Sequence, residues 1–342
     1  MGIASTQVGE DVVCLFPDLQ RGAITAQETM RKEGSMRRRT KFMAVLFALF
    51  ILLVGTSSIF AQEASCTACH DDTTLITGMQ TGLSESMHGT GHSYVRGTRS
   101  SCAGCHSGGA FSAMIAEGLA PNEVEAGDPN PTRQDCRACH QIHTSNTEAD
   151  WALETTAPVA LYAVDVTYNG GTGNLCVNCH QPRRTIAEPD AAGNIKVTST
   201  HWGPHHGPQS AVMLGVGGAG ITGSRSFHAR IVKDTCVACH LGEDSSHTFE
   251  AVEICADCHK DTDGFDVNGV QTMVESLITR LGDRLVAKGL LDEEGHPIVG
   301  EYPAAQARAL WNYILIAIED GSRGVHNPDY TEALLRQALE EL

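Results

Sequence analysis

Six segments of the chain repeat one pattern, Cys-x-x-Cys-His. They place Cys66 and Cys69 before His70, Cys102 and Cys105 before His106, and Cys136 and Cys139 before His140. They continue with Cys176 and Cys179 before His180, Cys236 and Cys239 before His240, and Cys255 and Cys258 before His259. Two thiols separated by two residues can reach the two vinyl groups of one haem and close two thioethers. The histidine that follows then turns under the porphyrin and offers its imidazole to the iron. This is the attachment pattern of c-type haem.

Other chemistries of paired cysteines fit less well. Zinc sites use Cys-x-x-Cys pairs but do not need a histidine directly after the second cysteine. Histidine makes up 16 of 342 residues, so six such coincidences would occur about once in 10⁸ trials for a signature that is Cys-x-x-Cys alone. Disulfides suit secreted chains, yet such closely spaced pairs staple almost nothing. A thioredoxin-type redox pair would occur once or twice. The six motifs use 12 of the 13 cysteines, and the remaining one, Cys14, lies in a segment expected to be absent or removed.

An iron held by the motif histidine alone is five-coordinate, and its chemistry depends on the opposite face. Ten histidines lie outside the motifs: His88, His92, His143, His201, His205, His206, His228, His247, His296 and His326. They are enough for two-histidine ligation at every iron. The expected distal ligands are His88, His143, His205, His228, His247 and His326. His143 follows His140 by three residues and can point to a neighbouring haem. His247 lies between two motifs whose starts are only 19 residues apart, which implies two haems in close contact. The cluster His201-Trp-Gly-Pro-His205-His206 resists assignment, and His296, beside Pro297 in a charged loop, is set aside.

The elements that must carry these residues begin after a leader. Arg37, Arg38, Arg39 and Lys41 precede an apolar run from Phe42 to Val54, then Gly55–Ser58 and Ala61. That order predicts a secretory signal peptide, preceded by an over-read start, with Met30 or Met36 the expected first residue. The alternative is an uncleaved anchor, since Phe42–Phe60 approaches a spanning length of roughly 20 residues. Without residues 1–61, seven of the 24 Lys/Arg and five of the 41 Asp/Glu are lost. The remaining 17 basic and 36 acidic residues give a net charge of −19, before any haem propionates. Nucleic-acid binding needs basic groups, so it is excluded; basic protein partners or plain solubility fit. The mature chain is expected in the periplasm or outside the cell.

Motif starts are spaced by 36, 34, 40, 60 and 19 residues, which is no repeat period. A mainly α fold with extensive loops is expected, built around six covalently attached haems at residues 62–265. A helical C-terminal cap is expected at 266–342. Val270, Met273, Val274, Leu277, Ile278, Leu281 and Leu285 form a helical stripe. Pro303–Glu319 and Asp329–Leu342 give two further helices, the first with proline in its opening turn. Ala157–Tyr168 alternates as a short hairpin. Gly215–Gly220 matches Gly-x-Gly-x-x-Gly, but a loop follows it where a dinucleotide site needs a helix, so no nucleotide cofactor is expected. Asp261, Asp263, Asp266 and Asn268 offer oxygens for calcium, without the EF-hand spacing.

The motif-bearing stretch 66–259 resembles multihaem c-type cytochromes of respiratory and extracellular electron transfer. The stretch Asp320-Gly-Ser-Arg-Gly-Val-His326-Asn-Pro-Asp-Tyr330 resembles the C-terminal element of ammonia-forming cytochrome c nitrite reductases and their octahaem relatives. That resemblance implies that His326 is a distal ligand. Their catalytic haem commonly uses Cys-x-x-Cys-Lys, which is missing here, since Lys260 follows His259 and does not replace it. The haem number and export pattern also resemble hexahaem cytochromes that polymerise into extracellular filaments. The leading expectation is an electron carrier working with other redox proteins. The alternatives are a reductase of a small nitrogen or sulfur oxyanion with one open iron, and a filament subunit.

Overall fold

Each described Cys-x-x-Cys-His segment is built on a helical turn, and this follows from its spacing. Residues three apart share a helix face, so one turn presents both thiols to the same side. The computed structural model describes residues 74–342, apart from 261 and 263. Cys66, Cys69, His70, Cys14, the leader and two of the candidate calcium ligands, Asp261 and Asp263, lie outside the described residues. The described part belongs to one compact unit.

The order of its main elements is α1 (Thr74–Glu85), α2 (Ser100–His106), α3 (Gly108–Glu117), β1 (Val159–Leu161), β2 (Val166–Tyr168) and β3 (Asn194–Val197). Then come α4 (Gln209–Leu214), α5 (Phe227–Ile231), α6 (Thr235–His240), α7 (Val270–Ala287), β4 (Gly300–Pro303), α8 (Ala304–Tyr313) and α9 (Pro328–Glu341). Single helical turns at Met87–Thr90, Cys136–Cys139 and Asn174–Val177 lie between them. The fold is therefore mainly α with extensive loops. Its sheets are two antiparallel pairs, β1 with β2 and β3 with β4. The β1–β2 hairpin falls within 157–168, where alternation predicts it.

The C-terminal part is helical where its stripes place it. α7 buries Val274, Leu277, Leu281 and Leu285, one face of a 3.6-residue period. The second helix begins one residue later than expected, because Gly300–Pro303 pairs with β3 and Pro303 becomes the cap. Its end departs from α geometry: Ile314–Asp320 form a π-helical segment, closed by Gly321 at φ 67°. α9 starts with Pro328 in its first turn, and the Asn327 side chain accepts from the Tyr330 N–H. These helices share one apolar core with Ile195, Val197, Trp202, Val212 and Ala219 from earlier in the chain. Trp202 and Trp311 meet edge to face at 5.1 Å.

The Gly215–Gly220 loop docks on this core. Trp311 Nε1 donates to the Gly217 carbonyl at 2.9 Å, and the Gly218 N–H donates to Tyr330 Oη at 2.8 Å. Asn312 accepts from the Ala219 N–H and donates to the Ala219 carbonyl. Gly217 and Gly220, at φ 91° and 84°, need the backbone freedom of glycine there. The Asp266 carboxylate is engaged by the N–H and hydroxyl of Thr272 in the first turn of α7.

Candidate cofactor site

The first cysteine and the histidine of a motif are tied by the backbone. The histidine N–H donates to the carbonyl of the first cysteine at 2.8 Å for His140, 2.9 Å for His180 and 2.8 Å for His259. His106 and His240 end α2 and α6 themselves. No described cysteine is in a disulfide.

Each of the five described motif histidines faces a histidine from outside the motifs. The ring centroids lie 6.1 Å apart for His180 and His88, and 6.1 Å apart for His106 and His205. They lie 6.4 Å apart for His140 and His247, 6.2 Å for His259 and His228, and 6.3 Å for His240 and His326. Metal–imidazole bonds of about 2.0–2.1 Å, with about 1.1 Å from each nitrogen to its ring centre, put two trans-axial imidazoles about 6.3 Å apart. All five separations fit one metal between the rings.

Hydrogen bonds at Nδ1 fix how several rings face. Nδ1 donates to a backbone carbonyl at His140 (Trp151, 2.7 Å), His240 (Phe249, 3.2 Å), His247 (Ser245, 2.7 Å) and His228 (Val325, 3.3 Å). His180 Nδ1 donates to Gln209 Oε1 at 3.0 Å, and His326 Nδ1 to Asp320 Oδ1 at 2.7 Å. Such outer partners set the tautomer and leave Nε2 free for a metal.

The π-helical segment positions two of these rings, His180 and His326, and also His206. Carbonyls of Glu319 and Asp320 accept from Gln209 Nε2, which turns Gln209 Oε1 toward His180. The Asp320 carboxylate holds His326, and Glu319 pairs with His206 at 2.6 Å. π-bulges re-aim side chains that an α-helix would point elsewhere. The Asp320 side chain is fully buried, and Ser322 Oγ and N–H also donate to it. The sequence carried one signal for this, an aspartate six residues before the candidate ligand.

Electrostatics keep two of the facing rings neutral. Burial first, then His180 and His240, lowers the His88 pKa to about 4. Burial, then Arg183 and His206, lowers His205 to about 4. At His326 burial also disfavours the charge, but the Asp320 carboxylate outweighs it and the pKa rises.

Neighbouring motifs touch through their cysteines. The Cys179 thiol lies 3.9 Å from the Cys105 carbonyl, and the Cys105 thiol lies 3.9 Å from the Asn178 carbonyl. Cys176 and Cys236 lie close enough to shift each other's pKa, Cys176 upward and Cys236 downward. Cys139 and Cys179 border one apolar cluster with Leu175 and Phe111. Cys239 feels the thiols of Cys255 and Cys258. The fourth motif thus lies beside the second, third and fifth, and the fifth beside the sixth.

Apolar side chains stand exposed at the ring pairs. Met87, 83% exposed, precedes His88, and Phe227, 61% exposed, precedes His228. Trp151 lies edge-on to His140 and is also exposed. Each is a single apolar side chain beside a ring pair, where a porphyrin face would cover it. Together with cysteine pairs on single helical turns, the residues present fit covalently held haem.

Other sites differ from the expectations. His206 pairs with Glu319, and His201, unassigned above, faces the set-aside His296 at 6.3 Å. His247 faces His140, and neither of the motifs that flank it in sequence. His143 makes an interaction of its own. Among the described residues no helix is long and apolar enough to cross a membrane.

No protein-family model matches the chain, and no curated protein matches its sequence. Among solved structures, the outer cell wall cytochrome OcwA is similar over 77% of this chain and 49% of its own, at 20% identity and a TM-score of 0.47. An undecahaem cytochrome from the S-layer of Carboxydothermus ferrireducens is similar over 77% of this chain and 39% of its own, at 18% identity and a TM-score of 0.41. The chain therefore spans half or less of the length of either.

Proposed function

We propose that the chain is an exported electron carrier that binds six haems covalently, each iron held between a motif histidine and a second histidine. The observation that carries this is the set of five ring separations between 6.1 and 6.4 Å, each pairing a motif histidine with one from outside the motifs. The distal partners are His205 for His106, His247 for His140, His88 for His180, His326 for His240 and His228 for His259. His143 is the one expected distal ligand outside these five pairs. Bound haem supplies reversible one-electron chemistry at its iron, tuned by axial ligands, their hydrogen bonds and burial.

The protein residues fix spacing and potential. Nδ1 hydrogen bonds hold the rings in place, and two histidines on every iron leave no position open to a substrate. The contacts among cysteines support a route in which the second, third and fifth sites converge on the fourth, and the fifth leads to the sixth. Other redox proteins are the partners. The leader pattern at 37–61 supports export to the periplasm or beyond.

Electron paramagnetic resonance of the oxidised, matured protein tests this reading. Low-spin haem alone, at six haems per chain, is expected. A high-spin signal equal to one haem would overturn the carrier and favour a reductase with one open iron.

A further inference from the structure

The His201–His296 pair stands apart from the motifs. Its ring centroids lie 6.3 Å apart with the planes at 80°, inside the range of the five motif pairs. Yet neither residue adjoins a cysteine pair. The juxtaposition comes from strand register. β3 and β4 pair Asn194 with Pro303 and Val197 with Gly300. His201 lies four residues beyond Val197, and His296 four residues before Gly300, so the antiparallel register brings them opposite each other.

The chain beside each ring is held in place. The His296 N–H donates to Asp292 Oδ1 at 2.7 Å, and the Asp292 N–H donates to the His296 carbonyl at 2.9 Å. Pro297, the next residue, bridges to Leu291. On the other side, Trp202 follows His201 and is buried against Trp311. Asp292 Oδ2 lies 3.4 Å from His296 Nδ1, which leaves Nε2 as the free nitrogen of that ring. A carboxylate behind one ring nitrogen with the other nitrogen free is the usual outer support of a metal-binding histidine.

The separation selects the geometry. With about 2.0–2.1 Å to each nitrogen, ligands at a tetrahedral angle would bring the centroids to about 5 Å, whereas trans ligands give about 6.3 Å. Trans imidazoles with open equatorial positions suit the tetragonal ions Cu(II) and Ni(II) more than zinc. Both rings are exposed, so water can fill those positions.

We infer that His201 and His296 form a surface site for a tetragonal divalent transition ion, Cu(II) or Ni(II), separate from the five described cysteine-linked sites and independent of the haem reading. The test is calorimetric titration of untagged, matured protein with Ni(II), alongside His201→Ala and His296→Ala. The wild type takes up one Ni(II) per chain, and each variant binds it more than about tenfold more weakly. The visible spectrum of both variants matches the wild type, which shows that they fold and that neither histidine holds a haem. Absence of Ni(II) uptake by the wild type would overturn the site. So would undiminished uptake by either variant. A change of haem spin state, or loss of an acid-extractable haem in either variant, would also overturn it, by assigning the pair to a porphyrin.

Discussion

Replacing Asp320 with asparagine keeps the shape of the His326 support and removes its charge. Asp320 Oδ1 lies 2.7 Å from His326 Nδ1, and its side chain is fully buried. The midpoint between His326 and His240, whose centroids are 6.3 Å apart, then lies about 6.5 Å from the carboxylate. A unit charge at about 6.5 Å acts with about 2.5 kcal/mol at an effective dielectric of about 20. For one electron that is about 110 mV. A negative charge favours the oxidised iron, so its loss raises the potential. Spectroelectrochemical titration of Asp320→Asn should therefore show one of six components displaced upward by about 100 mV, with the others nearly unmoved. A downward shift, or no component moving by more than about 20 mV, would refute the electrostatic reasoning.

Further expectations follow from the same geometry. Alanine at His88, His205, His228, His247 or His326 should each convert one haem in six to high spin, read by electron paramagnetic resonance. Retention of a fully low-spin spectrum in any of them would reject that pairing. Burial is the largest cause that lowers His88 and His205 to about 4 from the ordinary 6.5, so both rings stay neutral between those values. Absorbance should thus stay low-spin as pH falls from 6.5 to about 4 and change only below it; two haems converting near pH 6 would contradict this. Leu281→Ala removes a fully buried side chain of α7 and should cost about 2–5 kcal/mol. Thermal unfolding should then fall by about 5–15 °C, with the haem spectrum unchanged at low temperature.

The motifs were legible because their chemistry is local: Cys102, Cys105 and His106 lie within five residues of one helix. The helical cap was legible for a related reason, since Val274, Leu277, Leu281 and Leu285 repeat at the helix period. Pairing is different. His106 meets His205 and His140 meets His247 only once distant parts of the chain have packed. His247 lies between the fifth and sixth motifs in sequence, and tertiary packing carries it to the third. The π-helical turn at Ile314–Asp320 has no signature in periodicity, although it orients His180, His206 and His326. His296 looked like an ordinary loop residue because the β3–β4 register that sets it opposite His201 spans about a hundred residues.

Iron anomalous scattering from crystals of the matured protein tests the central claim most directly. The account predicts an iron midway between the rings of each pair: His106 with His205, His140 with His247, His180 with His88, His240 with His326 and His259 with His228. A motif histidine whose iron lacks that partner, or takes a different one, would contradict it.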